Sequence, residues 1–237
     1  MKLALGVHDL SEETLSFAAQ LGVTHVKVGA DLFMAENKRG VIDRDQLVEA
    51  IRTLAGYGLE IGVMLLPQAQ ETQNWNIRLG TPEREHEIKD VCRTIDIVGG
   101  EGVPVIEYVF NLLGNWRPAP VPRGRGKAHV SWFSREVAEK APEGSAFAAT
   151  EEDVWSRIAW FLERAVPAAE RSGVRLACHP DDPPVPYLRG ETRVLCRLDG
   201  LKRLIETVPS EANGLNFCQG TIAEMGEDVI EAIRYFG

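Results

Sequence analysis

Short β-branched runs alternate along the chain with longer stretches in which apolar residues return every three or four positions. This alternation of period two with period 3.6 is the mark of repeated βα units built around a parallel sheet. Six units are predicted. The first pairs a strand at 3–7 with a helix that Ser11 caps, Glu12 and Glu13 enter and Gly22 closes. The second joins a strand at 25–29 to a helix at 43–55. In the third, a strand at 59–66 precedes Thr81-Pro82, read as an N-cap and first helical residue, and Ile88, Val91, Cys92, Ile95 and Val98 then share one helix face.

After a fourth strand at 103–110 the regularity lapses. Residues 111–149 carry Pro118, Pro120, Pro122, Gly124, Gly126, Pro142 and Gly144 among several arginines, the composition of a lid, a binding loop or a disordered segment. Thr150 then caps a helix bearing Val154, Ile158, Phe161, Leu162 and Ala165, which Pro167 is expected to kink or end. A strand at 174–179, a helix at 199–208, a strand at 215–218 and a helix at 227–236 complete the pattern. The spacing resembles a (β/α)8 TIM barrel, an α/β fold that places catalytic groups at the C-terminal ends of its strands. With six units, a single domain over 1–237 reads as an incomplete barrel whose last two βα units are missing. An open doubly wound sheet fits less well, because Gly6-Val7-His8-Asp9 lacks its phosphate-binding glycine pattern.

A formal charge of −9 and a pI near 5.2 argue against a nucleic-acid partner and favour a small molecule. No apolar run approaches the roughly 20 residues of a membrane span, so the chain is expected to be soluble and cytoplasmic. The four cysteines have neither zinc-knuckle spacing nor the density of a disulfide scaffold, and are expected to be reduced.

Two segments bring chemistry to strand ends. His179 follows the apolar run 174–178 and precedes Pro180-Asp181-Asp182-Pro183-Pro184, placing an imidazole beside two carboxylates on a stiff loop. That set suits a divalent metal, although a histidine can equally cap a strand end. Cys218, in Asn216-Phe217-Cys218-Gln219-Gly220, is either a second metal ligand or a small buried hydrophobe. Cys92, Cys178 and Cys196 read as structural. His8 and Lys27 sit near the exits of the first two strands, where either can meet a substrate hydroxyl or carboxylate. Arg117, Arg123, Arg125 and Lys127 form an anion clamp or a solvated basic loop, and His129 adds little to them. Glu107 interrupts an apolar strand, as an acid, base or ligand at the barrel mouth or as a partly exposed charge.

The run 179–184 followed by Ala212-Asn213-Gly214-Leu215-Asn216-Phe217-Cys218-Gln219-Gly220 resembles the metal-binding segments of the mannonate dehydratase family. Similarity extends to Ile77-Arg78-Leu79-Gly80-Thr81-Pro82, Gly102-Val103-Pro104-Val105 and residues 161–167, and so over most of 59–237. The resemblance implies a xylose-isomerase-like barrel that dehydrates D-mannonate to 2-keto-3-deoxygluconate in hexuronate breakdown. It implies manganese, or ferrous iron, bound by His179 and Cys218. Read from the residues themselves, Asp181, Arg117 and His8 are expected at the substrate. Further family ligands, a histidine and an aspartate, would lie beyond Gly237, as would a histidine beside that aspartate implicated in proton transfer. The segment 106–110 and the amino-terminal third depart from the family pattern. The alternatives are a sugar isomerase or epimerase, against which a cysteine ligand speaks, and an inactive fragment that assembles with another chain. A homo-oligomer is the expected state.

Overall fold

Six parallel strands in consecutive order form the centre of the molecule, as seen in a computed structural model that describes residues 2–142 and 148–237. The first two units comprise β1 (Ala4–Gly6), α1 (Glu12–Gln20), β2 (His25–Gly29) and α2 (Arg44–Gly56). The third comprises β3 (Glu60–Leu65), a short α3 (Trp75–Leu79) and α4 (Arg84–Gly100), leading to β4 (Val105–Tyr108). An excursion follows with β5 (Val121–Pro122), β6 (His129–Val130) and α5 (Arg135–Lys140) before α6 (Glu151–Ser172) returns to β7 (Arg175–Cys178). The chain continues through β8 (Tyr187–Leu188), β9 (Glu191–Thr192), α7 (Leu198–Thr207), β10 (Asn213–Leu215), α8 (Gln219–Glu224) and α9 (Val229–Phe236). The central sheet runs β1-β2-β3-β4-β7-β10, and β5-β6 and β8-β9 are small antiparallel pairs. These are six consecutive βα units of a barrel.

Alternation along each strand decides what faces the helices and what faces the lumen. Ile106 and Tyr108 of β4 pack outward, the Tyr108 ring lying 5.1 Å from that of Phe161 on α6. Leu176 and Cys178, in register with them on β7, do the same. Glu107 and its register partner Ala177 therefore face the lumen, as does His179 one step further on. On β2, Val26 and Val28 enter the outer core while Lys27 faces inward.

Helix α6 continues through Pro167 to a left-handed cap at Gly173, so the proline does not end it. Pro167 deprives the helix of one N–H, but Phe161, Leu162, Ala165, Val166, Ala168 and Ala169 are all buried, and that burial carries the helix past the proline. Its start is the capping box expected at Thr150, with Asp153 returning the bond.

Three other expectations are corrected. Helix α4 starts beyond Thr81 and Pro82, because residues 75–79 form a separate turn of helix whose free N–H groups at Asn76 and Ile77 donate to Glu87, at 2.7 and 3.1 Å. The stretch 111–149 holds secondary structure of its own, although 143–147, with Gly144, lies outside the described residues. Strand β10 ends at Leu215, so Cys218 is the N-cap residue of α8 and no part of a strand.

Candidate active site

His179 stands at the lumen end of β7, half-buried, its backbone N–H donating to the Tyr108 carbonyl at 2.9 Å. Its Nδ1 lies 2.7 Å from the Pro180 carbonyl oxygen, which can only accept, so Nδ1 carries the proton and the Nε2 lone pair is left available. Cys218 follows the neighbouring strand β10 by three residues, at the start of α8. The Asn216 N–H extends the β10–β7 ladder by donating to the Cys178 carbonyl at 2.9 Å, and two residues later the half-buried Cys218 sulfur accepts the Thr221 hydroxyl at 3.2 Å. An imidazole with its second nitrogen pinned and a sulfur at a helix start are donors a transition metal accepts. Among the described residues, no group of three or more His, Cys, Asp and Glu side chains is assembled tightly enough to hold a metal by itself.

The two aspartates after His179 have different placements. Asp181 is 2% exposed, and its oxygens accept from the Asn111 amide at 3.1 Å and the Leu195 backbone N–H at 2.8 Å. This carboxylate organises loops and offers no open face to a ligand, unlike the substrate contact expected of it. Asp182 pairs with Arg117, which ties the excursion to the β7 exit. Glu224 of α8 completes this corner: partial desolvation, then the nearby Asp182 charge, push its carboxyl upward while Arg117 opposes them.

The other basic residues of the excursion do not converge. Arg123 stacks on Trp132, 4.4 Å from the ring, and Arg125 and Lys127 are exposed. His8 is exposed two residues past β1, away from the Arg117 corner in sheet order. Cys92, Cys178 and Cys196 all have thiols pushed up by burial, which suits the structural roles read for them.

Sequence reasoning missed the framework beneath the mouth. Arg193, with a side chain 0% exposed, donates to Glu191 at 3.0 Å and to the carbonyls of Pro183 and Gly114 at 3.2 and 2.8 Å. The Glu191 carboxylate in turn accepts the N–H groups of Leu112 and Leu113. Arg78, buried and pulled down to about 10 by desolvation, donates to the carbonyls of Gln68, Ala69 and Asn111. The available signal was a charged residue at every second position in Glu191-Thr192-Arg193 between apolar neighbours.

Six parallel strands in consecutive order, with helices between them and His179 at a strand exit, define a TIM-barrel-type α/β fold. The mannonate dehydratase of Streptococcus suis superimposes with a TM-score of 0.85 at 23% identity, over 100% of this chain and 68% of that one. A D-psicose 3-epimerase from Clostridium cellulolyticum gives 0.61 at 12% identity, covering 95% and 70%. In sequence, the family model for D-mannonate dehydratase (UxuA) matches residues 145–237, the part bearing His179 and Cys218. A mannonate dehydratase of Geobacillus thermodenitrificans is 30% identical over 68% of this chain and 52% of its own length. One from Bacillus licheniformis is 29% identical over 80% and 59%. The chain is thus similar in sequence to the mannonate dehydratases, and it spans between half and two thirds of the length of these two relatives.

Proposed function

We propose that this chain carries part of the active site of a sugar-acid hydro-lyase, with D-mannonate as substrate and 2-keto-3-deoxygluconate as product. The observation that carries the reading is His179, whose Nδ1–H is committed to Pro180 while Nε2 is left for a ligand, on the strand next to the one that delivers Cys218. His179 and Cys218 would hold a divalent ion, manganese or ferrous iron, which when bound supplies a Lewis acid for the substrate oxygens.

The reaction removes the proton from C2 and the hydroxyl from C3 as one water, and the resulting enol returns to the 2-keto acid. This chain's residues set the stage for it. Pro180 fixes the His179 tautomer, Thr221 fixes the Cys218 sulfur, and the Arg117–Asp182 pair holds the excursion over the mouth. The ligand is a small anion. Self-association belongs to the same reading, as does a cytoplasmic setting; among the described residues no helix is long and apolar enough to cross a membrane.

The test is turnover of D-mannonate with manganese, followed as 2-keto acid released. His179→Ala and Cys218→Ala are each expected to lower it by at least 100-fold, about 2.7 kcal/mol of barrel-mouth stabilisation. Full turnover in both variants sinks the proposal.

A further inference from the structure

The lumen contains an ion pair that the metal chemistry leaves unused. Lys27 of β2 reaches across β3 to Glu107 of β4, its Nζ 2.8 Å from Oε1 and 2.7 Å from Oε2. The two partners are unequally covered: the Glu107 side chain is 4% exposed and that of Lys27 35%. The carboxylate is thus sealed in the floor while the ammonium opens to the lumen. An ammonium has three N–H donors, and the two Glu107 oxygens leave it a donor to offer.

Its level in the barrel follows from register. Glu107 pairs with Ala177, and His179 is the next lumen-facing residue on the same strand, about 7 Å further toward the mouth. The chain of a hexonic acid bridges that separation. Burying a carboxylate costs desolvation that a leucine at the same place would not incur, and the pairing offsets that cost. It also fixes the lysine, whose four-carbon stem would otherwise sample many rotamers.

We propose that the Lys27 ammonium, held by Glu107 beneath His179, is the subsite for the carboxylate end of the ligand and selects a sugar acid over a neutral sugar. The inference rests on the lumen being the ligand site of the proposed function. In the reaction, the charge that builds on the carboxylate as the C2 proton leaves would fall beside this cation.

Calorimetric titration with D-mannonate and with the neutral D-mannitol tests it. Wild type is expected to prefer the acid by about tenfold or more, the effect of one charge-assisted hydrogen bond. Lys27→Met combined with Glu107→Gln removes both charges together and is expected to erase the preference. Lys27→Arg keeps both charges but moves the donors, and is expected to change the affinity for mannonate and not for mannitol. An undiminished acid preference in the double variant, or unchanged mannonate affinity in Lys27→Arg, overturns the subsite. Failure of the reaction reads differently: a wild type that prefers mannonate through Lys27 yet releases no 2-keto acid keeps the subsite and loses the lyase. A wild type that binds neither compound overturns both.

Discussion

The Glu191 carboxylate accepts the backbone N–H of Leu112, a residue 79 positions earlier in the chain, and so fastens the exit of β4 to the small β8–β9 pair. Arg193 lies against the same carboxylate and extends the tie to Pro183 and Gly114. Burial pushes the Glu191 carboxyl upward and Arg193 pulls it back.

Removing Glu191 should therefore cost more than one hydrogen bond. Glu191→Ala strands a buried guanidinium and is expected to destabilise the fold by about 3–5 kcal/mol, and Glu191→Gln, which keeps one acceptor, by less. Urea unfolding of the two variants measures the order. A loss under about 1 kcal/mol in Glu191→Ala would contradict the tie.

Manganese should stabilise the native state through His179 and Cys218. At a manganese concentration 100-fold above its dissociation constant, the gain is about 2.7 kcal/mol, seen as a raised melting temperature. Cys218→Ala should lose this increment and keep its metal-free melting temperature. An equal manganese response in the variant would remove Cys218 from the metal site.

Gly99 marks where α4 meets the end of α6. A Cβ there would lie 2.2 Å from the Ser172 carbonyl oxygen and 2.9 Å from Val174 Cγ2, so Gly99→Ala has to push backbone apart. The expected loss is about 1–3 kcal/mol. Gly100→Ala, with open space at its Cβ, is the control and should be neutral or stabilising. Equal thermal stability of the two variants would count against this packing.

Stability should fall on the alkaline side. Desolvation raises the thiols of Cys178, Cys196 and Cys92 and the Tyr108 phenol above their ordinary values, so the native state keeps protons that the unfolded chain releases. Their contribution is intact below the unfolded thiol value and declines as pH rises above it, by up to about 1.4 kcal/mol per pH unit for the fully buried Cys178 and by less for the more open Cys92 and Cys196. Unfolding free energies measured from pH 7 to pH 10.5 should bend downward near pH 9, and Cys178→Ala should show a shallower fall. An unchanged slope in that variant would be the contrary result.

What the sequence disclosed was what local pattern encodes. Strand β2 was legible to the residue because β-branched valines alternate with polar partners, and the Thr150 cap because its bonding partners are three positions away. Cys218 was misplaced in structure, at the start of a helix and not on a strand, because the apolar Leu215 and Phe217 before it read as a continuing strand. Asp181 looked like a ligand-facing group because its partners, Asn111 and Leu195, are set by the tertiary fold. The Lys27–Glu107 pair spans 80 positions, and neither residue alone announces the other.

The sheet order has a consequence for synthesis on the ribosome. Each central strand lies beside the one translated immediately before it in the sheet series, so a nascent chain can dock βα units one at a time onto a growing edge. The exception is the step from β4 to β7, where the excursion and α6 must emerge before the next strand can join. That step carries the long loop closure of the fold, and it is the point at which a pause in translation would leave the Tyr108 edge uncovered.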